Sequence, residues 1–190
     1  MPIPITCLVG LGNPTEKYTN TRHNVGFWFV DQLAKQNNLK FRAERKFSGE
    51  VVKNGQVWLL KPQLFMNRSG HAVRALMQFY QIPIEQILVI HDDIDLAVGT
   101  AKLKRGGGHG GHNGLRDIIN QTSSRDFLRL RLGVGRPEHS AQVVNYVLKA
   151  PSLADKKQLR QAIDNSLSVL PQVLEGQLAQ AMNILHTSNG

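Results

Sequence analysis

The 190-residue chain has little cysteine and no long apolar run, and each absence excludes a class of protein. Its single cysteine, Cys7, lies in an apolar segment, so a disulfide framework is impossible and a buried, reduced thiol is expected. No apolar stretch approaches the roughly 20 residues that a membrane-spanning helix needs. The first residues lack the basic region and the long apolar region of a secretory signal peptide. We therefore expect a cytoplasmic protein that does not associate with a membrane.

Acidic side chains are scarce relative to basic ones. Lys and Arg number 23 against 14 Asp and Glu, which gives a formal net charge of +9 at pH 7. Residues 101–136 contain eight basic and two acidic side chains, a net +6. Such a basic segment is typical of proteins that bind a polyanion, most often nucleic acid. A solvated basic face would have the same composition, so both interpretations stay open on charge alone.

Strand-like and helix-like segments alternate along the chain. Ile5–Gly10 and Ile87–Ile90 are apolar runs typical of buried strands, and Asn54-Gly55 predicts the turn of a hairpin. The apolar residues of Val25–Gln36 recur at helical spacing, and Asn24 stands where an N-cap is expected. Because no linker or repeat interrupts this alternation, we predict a single α/β domain over residues 1–190, with a largely parallel sheet flanked by helices.

The second half of the chain carries three more local predictions. Residues 128–134 alternate leucine or valine with arginine or glycine, which predicts a half-buried strand with its basic side chains directed outward. Gly106–Gly114 leads into a helix that begins near Asn113, and free backbone N–H groups there would face a phosphate or an oxyanion. Ser152 is expected to cap a C-terminal helix that Pro171 interrupts.

Polar side chains follow the two predicted central strands. Asn13 comes after the first and Asp92 after the second, and ligands of α/β folds bind outside the carboxyl ends of such strands. His23 lies in a polar loop; an imidazole with a pKa of about 6.5 is suited to taking a proton from water, and a carboxylate such as Asp92 would fix its tautomer. The amides of Asn13, Asn67 and Asn113 can hold that water or donate to an oxyanion.

Other chemistries fit these residues less well. Gly10-Leu11-Gly12 opens a dinucleotide-binding pattern, but Pro14 interrupts it. The sequence has no nucleophile-elbow motif, so activated water is the expected nucleophile of an enzyme. A metal-dependent hydrolase stays open as an alternative, because His109 and His112, together with His91 and the acids that follow it, offer metal ligands.

These residues lie within longer blocks that keep a fixed order along most of the chain. The blocks are Gly10-Leu11-Gly12-Asn13-Pro14, Thr21-Arg22-His23-Asn24-Val25-Gly26, Phe65-Met66-Asn67-Arg68-Ser69-Gly70, His91-Asp92-Asp93-Ile94-Asp95-Leu96, Gly106-Gly107-Gly108-His109-Gly110-Gly111-His112-Asn113-Gly114-Leu115-Arg116 and Arg129-Leu130-Arg131-Leu132-Gly133. Together they resemble the bacterial peptidyl-tRNA hydrolase family.

The resemblance implies hydrolysis of the ester between a peptide, or an N-blocked amino acid, and the 3′-terminal ribose of tRNA. In the family pattern His23 is the base that activates water, Asp92 is its paired carboxylate, and Asn13, Asn67 and Asn113 position the substrate. The resemblance also implies a twisted, mixed sheet. It further implies a monomer with a role in translation that needs no metal, cofactor or obligate protein partner.

Further residues match substrate contacts of the family. Tyr18 and Met66 match residues that line the channel for the peptide and the terminal adenosine, and Phe65 is expected to add to its apolar lining. Lys104 and Arg131 match a basic pair that grips the tRNA 5′-phosphate beside the acceptor stem. Lys104 and Arg131 lie in residues 101–136, the segment that carries most of the excess positive charge.

Two positions depart from the family pattern. Thr15 stands where the family commonly has glycine, and Pro171 interrupts a helix that is thought to act as part of a movable lid in the family. The alternative from another functional class is an RNA-binding protein of the same fold that has no catalytic activity. The presence of both His23 and Asp92 favours the enzyme.

Overall fold

The computed structural model describes residues 1–189, which form a mixed sheet between two layers of helices. The strands are β1 (Cys7–Gly10), β2 (Arg42–Glu44), β3 (Gly49–Asn54), β4 (Val57–Pro62), β5 (Ile87–Asp93), β6 (Ala101–Arg105) and β7 (Leu128–Gly133). Their order across the sheet is β2-β3-β4-β1-β5-β7-β6. Only β3 and β6 run against the other strands described, so the predicted α/β fold with a largely parallel sheet is confirmed.

Helices cover both faces of this sheet. They are α1 (Val25–Gln36), α2 (Ser69–Tyr80), α3 (Asn113–Thr122), α4 (Val143–Val147), α5 (Leu153–Ser168), α6 (Leu170–Leu174) and α7 (Leu178–Ser188). As predicted, Ser152 caps α5, and its Oγ accepts the backbone N–H of Asp155 at 3.1 Å. Pro171 occupies the first turn of α6, so the predicted interruption is confirmed. Within residues 1–189, no helix has the length and apolarity required to span a bilayer.

The apolar runs of the central strands require cover on both sides. Strands β1 and β5 lie side by side between other parallel strands, so neither of their faces meets solvent. Leu8 and Leu88 pack on the face covered by α1 and α5, whereas Val9 and Val89 pack on the face covered by α2 and α3. Cys7 is buried, as predicted, and burial raises the pKa of its thiol to about 12. It therefore stays a neutral thiol of the core.

Small residues let α1 approach the sheet closely. A Cβ atom on Gly10 would lie 2.4 Å from the carbonyl oxygen of Gly26, and one on Gly26 would lie 2.4 Å from that of Ile90. A Cβ atom on Gly12 would lie 2.7 Å from the ring of Phe27. The glycines of the first motif therefore serve helix packing rather than a dinucleotide. They place the turn before α1 at the carboxyl ends of β1 and β5.

Two local predictions are corrected by the structure. Strands β3 and β4 form the predicted hairpin, but Asn54 pairs with Val57, so the two-residue loop is Gly55-Gln56 rather than Asn54-Gly55. Gly55 has a φ of +61°, as the first position of a type II′ turn requires. Asn24 occupies the N-cap position of α1, but its side chain makes no capping bond.

The outer edge of β6 is paired by side chains of α7 and of the residue that follows it. Nε2 of His186 accepts the backbone N–H of Leu103 at 3.1 Å. The amide of Asn189 accepts the N–H of Ala101 at 3.0 Å and donates to its carbonyl at 2.8 Å. These bonds satisfy backbone groups that another strand would otherwise pair.

Thr15 adopts a backbone conformation that side chains rarely tolerate. Its φ of 82° and ψ of 151° fall in a region populated almost only by glycine, at a cost of about 1–3 kcal/mol for other residues. We expect Thr15→Gly to raise the free energy of unfolding by about 1–2 kcal/mol, because relief of this strain exceeds the extra unfolded-state entropy of glycine. Urea unfolding followed by circular dichroism measures the change.

Thr19→Gly is the matched control for this prediction, because Thr19 has a φ of −50°, which side chains adopt freely. Glycine at that position should lower the free energy of unfolding. A decrease of similar size for Thr15→Gly would show that the backbone at Thr15 is not strained.

Candidate active site

A cavity of about 610 Å³ opens at the carboxyl ends of β1 and β5. The chain passes from β4 on one side of β1 to β5 on the other, and α/β proteins bind ligands at such a switch. Every residue predicted for the site lines this cavity: Asn13, Tyr18, His23, Phe65, Met66, Asn67, Asp92, Lys104, Asn113 and Arg131.

His23 and Asp92 form a buried, hydrogen-bonded pair in this cavity. Nδ1 of His23 lies 2.9 and 2.8 Å from the two carboxylate oxygens of Asp92, and the residues are 9% and 3% exposed. A carboxylate only accepts hydrogen bonds, so Nδ1 carries the ring proton and donates it. Nε2 is therefore the basic nitrogen of His23.

The pair shifts the pKa of both members. Burial lowers the pKa of His23, but the charge of Asp92 and the hydrogen bond to it act in the opposite direction and leave this pKa raised above 6.5. Burial raises the pKa of Asp92, but the charges of His23 and His112 and their hydrogen bonds outweigh it and hold this pKa well below its usual range. Asp92 is thus ionised wherever His23 titrates.

The length of β5 decides which of two consecutive acids faces His23. The apolar pattern predicts that this strand ends at Ile90, but it continues to Asp93, so Asp92 and Asp93 project to opposite faces of the sheet. Asp93 accepts instead from Nε of Arg131 at 2.8 Å. The strand geometry therefore makes a choice that the sequence pattern leaves open.

His112 is a third member of this group, and the sequence indicates it only as a metal ligand. Its Nε2 lies 2.8 Å from Oδ1 of Asp92, while its Nδ1 accepts the backbone N–H groups of Gly114 and Leu115 at 3.1 and 3.3 Å. Two donors at Nδ1 require the ring proton to be on Nε2, which donates it to Asp92. His112 thus caps α3, and the expectation that the N-terminal amides of this helix are free is wrong.

The hydrogen bonds of His112 also bear on the metal-dependent alternative. Among residues 1–189, the candidate metal ligands that lie close together are His23, Asp92 and His112, without His109. A metal bound to Nε2 of a neutral His112 would move the ring proton to Nδ1. The N–H at Nδ1 would then face two backbone N–H groups, which would lose their acceptor. His109 instead accepts the N–H of Gly111 at 2.9 Å. The donor set therefore does not fit a metal ion.

His91, the remaining candidate metal ligand among the histidines, is a buried neutral imidazole. Its Nδ1 lies 2.8 Å from the backbone carbonyl of Asp92 and donates to it. Burial, followed by the charge of His112, lowers the pKa of His91 to about 4. Its ring packs edge-on against that of His112, with centroids 5.2 Å apart. His91 thus supports the ring of His112 from within the sheet.

Asn13 is held in one orientation by two neighbours. Oδ1 of Asn24 accepts the backbone N–H of Asn13 at 2.9 Å, and Nδ2 of Asn24 donates to the carbonyl of Asn13 at 3.0 Å. Oδ1 of Asn13 in turn accepts the backbone N–H of Met66 at 2.7 Å. Nδ2 of Asn13 is therefore the group that can donate into the cavity. The use of Asn24 as a clamp explains why it does not cap α1.

The other predicted amides and aromatic rings lie at the rim of the cavity. Asn67 and Asn113 are exposed, and Oδ1 of Asn113 accepts from Arg116 at 3.2 Å. The rings of Tyr18 and Phe65 meet edge to face with centroids 6.2 Å apart, and Phe65 is 55% exposed. The rim therefore combines amide donors with an exposed aromatic surface.

Comparison with known proteins points to one family. The model of the family described as peptidyl-tRNA hydrolase matches residues 7–190. The chain belongs to the peptidyl-tRNA hydrolase family.

Relatives within the peptidyl-tRNA hydrolase family agree over nearly the whole chain. The chain is 54% identical over 186 residues to the peptidyl-tRNA hydrolase of Methylobacillus flagellatus, with 96% of this chain and 97% of that protein covered. It is 50% identical over 187 residues to that of Neisseria meningitidis serogroup A, with the same coverage. The crystal structure of peptidyl-tRNA hydrolase from Acinetobacter baumannii matches with a TM-score of 0.92 at 42% identity, covering 98% of this chain and 96% of that chain. The predicted family, fold and hydrolase class are confirmed.

One basic residue of this family member is placed differently from the prediction. Arg129, expected to point outward from β7, is 3% exposed and donates to the carbonyls of Gly107 and Gly108. The alternating pattern of the strand is correct, but a glycine-rich loop covers the face onto which Arg129 projects. Arg129 therefore fastens that loop.

Ion pairs reduce the positive charge that the sequence assigns to residues 101–136. Arg131 pairs with Asp93 at 2.8 Å and Arg136 pairs with Asp95, and both of these acids lie outside that segment. Lys104 is exposed and lines the cavity. The cavity thus has a basic side formed by Lys104 and the partly neutralised Arg131.

Helix α4 and the residue after it provide an apolar wall of the cavity that no sequence pattern predicts. This wall consists of Val143, Val144, Val147 and Leu148. Helix α4 has only five residues, too few for a helical period to mark it. No residue described in α5–α7 lines the cavity.

Proposed function

We propose that the chain hydrolyses the ester that joins a peptide, or an N-blocked amino acid, to the 3′-terminal ribose of tRNA, and releases free tRNA and peptide. The His23–Asp92 pair carries this proposal, because it provides a base in the same cavity as amide donors and basic side chains. Membership of the peptidyl-tRNA hydrolase family supports the same substrate.

In the proposed reaction, Nε2 of His23 takes a proton from water while the water oxygen bonds to the ester carbonyl carbon. The resulting oxyanion accepts hydrogen bonds from Nδ2 of Asn13 and from the amides of Asn67 and Asn113. Collapse restores the carbonyl and breaks its bond to the ribose oxygen, which takes the proton from His23. Asp92 stabilises the imidazolium between the two proton transfers.

His112 has a positioning role in this proposal. It donates to the same carboxylate oxygen that lies 2.9 Å from His23, and the backbone of α3 holds its other nitrogen. The carboxylate of Asp92 is thus fixed from both sides, which keeps His23 in the tautomer that leaves Nε2 basic.

The remaining cavity residues are assigned to substrate contacts. Tyr18, Phe65 and Met66 form apolar lining that suits the peptide and the terminal adenosine. Lys104 and Arg131 would bind the 5′-phosphate beside the acceptor stem, a contact without sequence information that suits many tRNAs. The proposed form of the enzyme is a cytoplasmic monomer that uses no metal, cofactor or obligate protein partner.

The rate should fall on the acid side of the pH profile with a midpoint above 6.5. His23 acts as a base only when neutral, and its pKa in the folded chain is raised above 6.5, so protonation removes the base as the pH falls through that value. The measurement is kcat/KM on an N-acetylaminoacyl-tRNA from about pH 5 to about pH 9. A midpoint below 6.5, or a flat profile, would contradict the assignment of the base.

Lys104→Ala and Arg131→Ala should each raise KM for full-length substrate about tenfold, because each variant loses one charged contact to a phosphate. Hydrolysis of a short aminoacyl-nucleotide ester should change little. Lys53→Ala is the control, since Lys53 is an exposed lysine on β3 that lies over Trp58, outside the cavity. Equal losses on the long and short substrates would argue against a phosphate clamp.

Hydrolysis of an N-acetylaminoacyl-tRNA, compared with its free-amine form, tests the proposed function. We expect hydrolysis of the N-blocked ester, unchanged in excess EDTA. Binding of tRNA without hydrolysis would support the RNA-binding alternative instead. Activity lost in EDTA and restored by a divalent metal would support the metal-dependent one.

A further inference from the structure

The turn that carries His23 also holds the apolar wall of the cavity in place. Nη1 of Arg22 donates to the carbonyls of Tyr146 and Lys149 at 3.0 and 3.3 Å, and its backbone N–H donates to Lys149 at 3.0 Å. Its guanidinium lies 3.9 Å from the centroid of the Tyr146 ring. These contacts join the residue before the proposed base to the last turn of α4.

Tyr146 is fixed at a second point, because its hydroxyl donates to the carbonyl of Val134 at 2.5 Å. Arg22 also adds hydrogen bonds to carbonyls at the end of this helix, of which that of Tyr146 also accepts the backbone N–H of Lys149 at 3.2 Å. The end of α4 is thus held between the turn before α1 and the segment after β7.

Apolar burial alone holds α4 weakly. Val147 is the only residue described in α4 that is buried, and Val144 is 67% exposed although it lines the cavity. A five-residue helix with so little buried surface depends on its polar contacts to keep one position. The polar contacts at the end of α4, including those made by Arg22, therefore hold the wall in place.

We propose that Arg22 is a positioning residue that sets this wall beside His23, so that the site favours acyl groups with apolar side chains. The inference rests on the proposed function and deepens it with respect to the acyl part of the substrate. An apolar side chain gains from contact with Val143, Val144, Val147 and Leu148 only if the wall stays within contact distance of the bound ester. An acyl group without a side chain has no such contact to lose.

Arg22→Gln tests this proposal with two substrates, N-acetylleucyl-tRNA and N-acetylglycyl-tRNA. We expect KM for the leucyl ester to rise about tenfold, KM for the glycyl ester to stay within about twofold, and kcat to change by less than about threefold on both. Amide hydrogen exchange should become faster at residues 143–149 and stay unchanged in the sheet.

Three further variants give this test its controls. Arg22→Lys keeps the charge but loses the bridge between the two carbonyls, so KM for the leucyl ester should stay raised. A wild-type KM in Arg22→Lys would mean that the charge of Arg22 acts on tRNA, and would contradict the proposal. Tyr146→Ala removes the ring that stacks on the guanidinium of Arg22 and the hydroxyl that bonds Val134, and should reproduce the leucyl-specific rise in KM. Arg160→Gln removes an arginine that lies 4.8 Å from the Trp28 ring and does not line the cavity, and it should leave KM for both substrates unchanged.

The outcomes separate this proposal from the proposed function. A wild-type chain that hydrolyses neither ester would overturn the proposed function and the inference with it. A wild-type chain that hydrolyses both, with an Arg22→Gln variant equally impaired on both or with unchanged exchange at α4, would overturn the inference alone.

Discussion

His23→Ala should lower kcat on an N-acetylaminoacyl-tRNA by about 10³-fold or more, while the variant still folds and binds tRNA. A positioned general base contributes about 10²–10⁴-fold, and Nε2 of His23 is the basic nitrogen that the Asp92 contact leaves for this task. The amides and basic side chains of the cavity are untouched, so KM should change far less than kcat. Single-turnover hydrolysis with enzyme in excess measures the chemical step directly.

His71→Ala is the matched control for this variant. His71 is an exposed histidine of α2 that also lies beside a carboxylate, at 3.2 Å from Asp117, but outside the cavity. The same change at His71 should leave kcat unaltered. A His23→Ala variant that keeps half of the wild-type rate would exclude His23 as the base, whatever the other residues do.

Asp92→Asn should lower kcat by about 10²–10³-fold, less than His23→Ala. In the wild type one carboxylate oxygen accepts from both His23 and His112, and the other accepts from His23 alone. An Asn amide whose oxygen keeps the bond from Nε2 of His112 directs its NH₂ at Nδ1 of His23. This favours the tautomer with the proton on Nε2, in which His23 can no longer accept a proton from water.

Asp93→Asn separates this tautomer effect from a general loss of charge. Asp93 is the next residue of β5, on the opposite face of the sheet, and pairs with Arg131. Its variant should act on KM rather than kcat. The acid limb of Asp92→Asn should move to lower pH, because the charge that raises the His23 pKa is gone. A larger loss of kcat in Asp93→Asn than in Asp92→Asn would reverse the assignment.

The meeting of His23 with Asp92 could be predicted because it follows from strand order. Apolar runs mark β1 and β5 as central strands, and the carboxyl ends of neighbouring parallel strands share one edge of the sheet. The roles of His112 and Arg129 could not be predicted in this way. Each depends on a partner far along the chain, namely Asp92 for His112 and the carbonyl of Gly108 for Arg129.

Sequence periodicity also fails to predict structure where a segment is short, or where a side chain bonds to a different element from the one that carries it. Helix α4, which supplies most of the apolar wall, has only five residues, and a carbonyl in its last turn accepts from the distant Arg22. Asn24 has the residue type and position of an N-cap, yet the backbone of Asn13 uses its amide. The propensity of asparagine for the N-cap position describes a local preference. The bond of Asn24 to Asn13 depends instead on how α1 packs against β1.

The pairing of β6 by α7 has a consequence for how separate molecules meet. An open border of a sheet can recruit the same border of a second copy, and here His186 and Asn189 occupy the positions that an incoming chain would need. Pairing of two copies along this border is therefore opposed by these two side chains. A chain shortened before His186 should expose the amides of Ala101 and Leu103 and self-associate as its concentration rises.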